Sequence, residues 1–168
     1  FVGVYEAGSK TPLELVNYTE GYPVVGKQAT ITLVLLKDKK YDLVFWAYDA
    51  ANTTAYDVDM EKREVTVNYE NLAANDESRD AFFAALKNFD PASVSGTKAV
   101  TLTRPFAQLN AYATDVADVA KSGVTLNTST ITTQIYTTLN PFAAEDAEDV
   151  GGLTDVIMFA AGANPTDG

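Results

Sequence analysis

Carboxylates are the most numerous ionisable side chains, so chemistry in this sequence is sought first among them; Ser-Lys chemistry is also open to it, though nothing in the sequence favours either. Asp57-Val58-Asp59-Met60-Glu61 sets three at alternate positions. A calcium loop opens with hard-oxygen spacing of this kind, but it also needs Gly at its sixth position and a bidentate acid at its twelfth. Lys62 and Asn68 stand in those places, so the stretch reads as a solvated loop. Glu145, Asp146, Glu148 and Asp149 form a second cluster. A divalent ion would relieve their mutual repulsion, yet such charge runs are ordinarily just hydrated. Paired carboxylates also hydrolyse glycosides. With 23 acidic residues chance pairs are inevitable, and no spacing singles out two of them.

The chain contains neither Cys nor His. That removes thiolate nucleophiles, imidazole bases, Cys/His zinc sites and disulfides together. No Gly-x-Ser-x-Gly elbow or phosphate-cradling glycine loop occurs. The residues therefore read as non-enzymatic, with no catalytic, cofactor-binding or metal-ligating position assigned and no cofactor implied. Twelve basic against 23 acidic residues give a net charge of −11. Such a surface repels nucleic acid and anionic headgroups and favours solubility. Tyr41, Phe45, Trp46, Tyr48 and Tyr56 cluster in a short stretch. They fit either a sugar-stacking platform or, more commonly, core and cross-strand pairs.

The elements that must position these groups are mostly strands. A length of 168 residues suits one domain. Ala29–Leu35 alternates, with Ile31, Leu33 and Leu35 on one face, as in a half-buried strand. Tyr41–Tyr48 is apolar on both faces from Leu43 onward, the mark of a strand covered on both sides. Lys37-Asp38-Lys39-Lys40 between them suits a hairpin link. Val65–Tyr69, Ala99–Thr103, Val124–Thr138 and Leu153–Ala161 complete the predicted strands. Two helices are predicted. One runs from an Asn75 or Asp76 cap to Lys87 with Phe82, Phe83 and Leu86 as its apolar stripe; the other covers Asp115–Lys121 after a Thr114 cap and stops at Gly123. The pattern is that of an all-β sandwich with helical decoration. No segment is long and apolar enough to span a bilayer.

Three stretches in this order resemble a known family: Tyr41-Asp42-Leu43-Val44-Phe45-Trp46-Ala47, then Asn75-Asp76-Glu77-Ser78-Arg79-Asp80-Ala81-Phe82-Phe83, then Leu102-Thr103-Arg104-Pro105-Phe106-Ala107-Gln108-Leu109-Asn110. Together they look like the N-terminal domain of the fimbrillin-like proteins of Bacteroidales, subunits and accessory proteins of fimbriae. The resemblance runs from Ala29 to Asn140, and Phe45, Trp46, Arg104, Pro105, Phe106 and Gln108 are its signature. It implies a transthyretin-like or Ig-like sandwich of about seven strands with one or two short helices. It further implies export to the outer membrane or fimbrium, with membrane attachment only through a lipid anchor. The implied role is structural or adhesive, in fimbriae assembled by β-strand addition. Expected partners are other fimbrial subunits or a second copy through strand exchange, with surface glycans or host proteins as further candidates. The chain would then be a single sandwich domain, the N-terminal part of a two-domain protein, with 1–28 and 161–168 as flexible or boundary segments. A carbohydrate-binding sandwich of a glycan-uptake system is the alternative. From the residues alone, Arg104-Pro105 suits a bend that Phe106 anchors. If Phe106 is core, its truncation to Ala should cost about 3–5 kcal/mol.

Overall fold

The computed structural model describes residues 1–70, 72, 76–106, 115–124, 134–142 and 153–154. Among these residues the strands in chain order are β1 (Val2–Glu6), β2 (Tyr41–Tyr48), β3 (Tyr56–Asp59), β4 (Glu64–Val67), β5 (Ala81–Phe89), β6 (Ile135–Tyr136), β7 (Thr138–Leu139) and β8 (Leu153–Thr154). One helix, α1 (Val116–Lys121), and two 3-10 turns accompany them, so the fold is all-β as the patterning predicts. Every strand pairing among the described residues is antiparallel. One sheet has the order β1-β2-β5, a second β3-β4-β7, and β6 pairs with β8.

Side-chain alternation along β2 fixes the layers. Val44 and Trp46 point inward beside Tyr5 and Ala81, and meet Tyr56, Val65 and Val67 of the second sheet. Tyr41 and Leu43 point the other way beside Val2 and Val4. That outer face is covered by Leu13, Val16, Tyr22, Ile31, Leu33 and Leu35, all from the chain between β1 and β2. The central sheet is thus buried on both faces, which is why β2 has no polar side along most of its length.

Asp42 is the exception, and it is buried. The pairing of β2 with β5 shifts register between Tyr41 and Leu43, and Asn88 opposite adopts a left-handed φ of 54°. The Asp42 carboxylate accepts hydrogen bonds from Asn88 N at 2.8 Å and from Gly8 N at 2.9 Å. It thereby satisfies two main-chain donors, one beyond β1 and one in the irregular end of β5.

Several expectations need correction. The helix from Asp76 to Lys87 is instead a 3-10 turn, Glu77–Arg79, followed by β5. Asp76 does cap, accepting from Ser78 N, but the turn ends at once. Ala81, Phe83 and Ala85 then lie opposite Tyr48, Trp46 and Val44 on the inner face. The Phe-Phe-Ala-Ala-Leu run suits either period, and pairing along β2 outweighs its helical propensity. Ala29–Leu35 alternates in exposure as expected but is not in a strand, so the Lys37–Lys40 link closes no hairpin. Of Ala99–Thr103 only Thr103 pairs among the described residues, as an isolated bridge to Phe83. The opening residues, expected as part of a flexible or boundary segment, supply β1, in which Val4 and Tyr5 are fully buried. Helix α1 stands where expected, with Gly123 at φ 75° after it. The alternative Asn75 cap, the Thr114 cap, residues 125–133 of the predicted Val124–Thr138 strand and the Glu145–Asp149 acidic run fall outside the described residues. So do residues 155–161 of the last predicted strand, which is described only as β8, and residues 161–168.

Candidate functional site

The signature residues divide between the two faces of the central sheet. Trp46 is 1% exposed and lies inside. Phe45 is half-buried on the outer face, packed against the Val2, Val4 and Leu43 cluster. Tyr56 joins Trp46 to Phe106: its ring meets Trp46 edge-on at 5.5 Å and stacks on Phe106 at 6.2 Å. Arg104 pairs with Asp80 and lies over the Phe82 ring at 5.7 Å. Pro105 is half-buried, and Gln108 falls outside the described residues. The stretch from Arg104 to Phe106 therefore clasps the start of β5 to the aromatic end of the core.

Phe106 anchors less firmly than a core residue, because it remains 36% exposed. Its stacking on Tyr56 and partial burial set the scale. We expect Phe106→Ala to cost about 1–2 kcal/mol, below the range for a fully buried ring. Urea unfolding monitored by Trp46 fluorescence measures this.

The clustered aromatics serve as core rather than as an open stacking surface. Tyr41, Trp46 and Tyr56 are buried, and Tyr48 is held between Phe1, stacked at 6.0 Å, and Tyr56 at 5.3 Å. Burial pushes the Tyr56 phenol up to about 12, and its hydroxyl donates to Arg79 O at 2.5 Å. Strands commonly use aromatic rings in this way.

The carboxylates likewise engage in structure. Asp59 Oδ1 accepts from Lys62 N at 2.9 Å, and Oδ2 pairs with Lys62 Nζ at 2.7 Å. The hydrogen bonds from Lys62 hold the Asp59 carboxyl below its ordinary range. Among the described residues no group of three or more metal-ligating side chains comes together, and no helix is long and apolar enough to cross a membrane.

What the surface does offer is an apolar groove of about 340 Å³, lined by Glu6, residues 13–15, Val34, Leu36, Lys39 and Tyr41. Val34 is 82% exposed and Leu36 59%. Glu6 and Lys39 pair across one wall at 3.0 Å, and Tyr41 Oη accepts from Leu36 N at 3.0 Å. The groove borders residues 29–35, whose main chain enters no sheet among the described residues. It thus combines exposed apolar side chains with main-chain groups that another strand can pair with. Sequence reasoning misses this groove. The alternation of Ile31, Leu33 and Leu35 is visible there, but not that the opposite side stays open.

Compared with known proteins, the chain matches over residues 1–167 a family described as a family of unknown function (DUF6562), and it belongs to that family. No curated protein and no solved structure matches it.

Proposed function

We propose that the chain is a non-catalytic, fimbrillin-like cell-surface protein, a structural or adhesive component of fimbriae that assembles by β-strand addition. One observation supports this most: an alternating segment, residues 29–36, lies outside every sheet formed among the described residues, beside an apolar groove with Val34 and Leu36 exposed. An added strand gains main-chain hydrogen bonds along such a segment and seats alternate side chains in the groove. The edge strand β3 suits this role less. It is four residues long and carries Asp57 and Asp59, and charges of that kind discourage pairing. Export to the outer membrane or fimbrium belongs to the same proposal, with the partner a fimbrial subunit or a second copy.

The test uses the full-length protein, imaged by negative-stain electron microscopy, with and without Val34→Asp combined with Leu36→Asp. The wild type is expected to form ordered fibres and the double variant to remain as single particles. Both positions are exposed, so the melting temperature should be unchanged. Fibres that form equally well with both aspartates present, or a wild type that never assembles, would overturn the proposal.

A further inference from the structure

We infer that residues 14–35 form a strap that opens as a unit and uncovers the outer face of the central sheet while the two-sheet core stays closed. This goes beyond fimbrial assembly and does not depend on it.

The argument starts from main-chain hydrogen bonds. Leu13 N donates to Val4 O at 2.7 Å, and Leu36 N donates to Tyr41 Oη at 3.0 Å. Between these two pins, among the described residues, the main chain bonds only within the strap. Val25 and Gln28 exchange a pair around a turn with Gly26 and Lys27 both at positive φ, Asn17 N reaches Tyr22 Oη, and Thr19 N reaches Asn17 Oδ1. Among the described residues its side-chain polar link outward joins Tyr18 Oη to Glu61 at 3.4 Å, in an exposed setting.

What holds the strap is side-chain burial. Val16, Tyr22, Ile31, Leu33 and Leu35 rest on Val2, Val4, Tyr41 and Leu43, and all five remain only half-buried. The inner core is built differently. Trp46, Tyr5, Val44 and Val65 are wholly enclosed, and the main chains of β1, β2 and β5 are paired along their lengths. A segment with few main-chain bonds to its neighbours and partial burial opens at lower free energy than the sheets below it. Opening breaks the Tyr18 and Tyr41 hydroxyl contacts, the burial of the outer apolar face and the packing of Tyr18 at the margin of the inner cluster, and leaves the sheet ladders whole.

Leu43 and Val44 are adjacent in the central strand. They are 3% and 0% exposed, and they face the strap and the inner core respectively. The chain has no cysteine, so single-cysteine variants report without background. Leu43→Cys and Val44→Cys are to be labelled under native conditions with a thiol reagent across a urea series. The Leu43→Cys thiol is expected to react at least about a hundredfold faster than the Val44→Cys thiol, with a shallower dependence on urea, because opening the strap exposes less surface than unfolding the whole domain. Tyr41→Phe, which removes the hydroxyl pin, should accelerate labelling at position 43 several-fold and leave position 44 unchanged. Val4→Cys, also on the strap side, serves if Leu43→Cys does not fold, with the same expected outcome. Equal rates at the two faces, with the same steep urea dependence, would show that the strap opens only when the whole domain unfolds and would overturn the inference.

Discussion

Replacing Trp46 with alanine is expected to cost about 3–5 kcal/mol, a large share of the roughly 5–15 kcal/mol that holds an ordinary domain folded. The reason is position as much as size. Trp46 is the largest wholly enclosed side chain among the described residues, it lies opposite Phe83 across the β2–β5 ladder, and its ring meets Tyr56 of the second sheet edge-on. Removing it opens a void where the two sheets meet, and Phe106 beyond Tyr56 loses its backing. Phenylalanine in its place should cost far less, about 1–2 kcal/mol, and less than the lost volume alone suggests. Among the described residues the indole Nε1 is buried without a hydrogen-bond partner, so that substitution also removes a desolvated donor. Urea denaturation followed by far-ultraviolet circular dichroism, which does not rely on the tryptophan itself, separates the two variants. A phenylalanine variant as unstable as the alanine variant would show that the N–H is satisfied in solution.

The same residue shows how far the sequence could be read. The run from Tyr41 to Tyr48 is a strand with the predicted bounds, because only a strand covered on both faces needs apolar residues at successive positions. The equally apolar run from Ala81 to Phe89 could be read two ways. Two alanines and a leucine behind an acidic cap satisfy a helix, and nothing local reveals that β2 offers a full-length partner. Residues 29–35 show the converse. Their alternation correctly marks one side as facing apolar neighbours, yet alternation records burial and not pairing, so it could not show whether a neighbouring strand exists. The groove beside them is a product of tertiary arrangement. Leu15 and Val34 are far apart in the chain, and neither is unusual in its local context. The stretch from Arg104 to Phe106 reads in sequence as a bend with Phe106 as anchor; its contacts with Asp80, Phe82 and Tyr56 were not legible there, since they depend on how β5 and Tyr56 are presented.

Gly3→Ala is expected to destabilise the domain by about 3 kcal/mol, against the usual sign of a glycine-to-alanine change in a strand. Gly3 and Tyr5 share the inner face of β1, and the Tyr5 ring lies back over the place where a side chain at position 3 would go. A Cβ there would sit 2.6 Å from Tyr5 Oη and 2.8 Å from the ring carbon Cε2. The ring has nowhere to move. Its hydroxyl donates to Met60 O at 2.5 Å, Phe142 packs edge-on at 5.3 Å, and the Arg63 guanidinium lies 5.4 Å over its face. Burial also pushes the Tyr5 phenol up to about 12, so the hydroxyl stays a neutral donor at any ordinary pH. Alanine at position 3 must therefore break the bond to Met60 or spread β1 away from β3 and β4. The two residues should be strongly coupled. With Tyr5→Leu already in place the clash is gone, and Gly3→Ala should then cost at least about 1 kcal/mol less than it does alone. A double-mutant cycle by urea unfolding with a constant denaturant slope measures that coupling. Strictly additive effects would mean that β1 yields before the ring does, and that the first strand of the central sheet is held less tightly than the enclosure of Tyr5 implies.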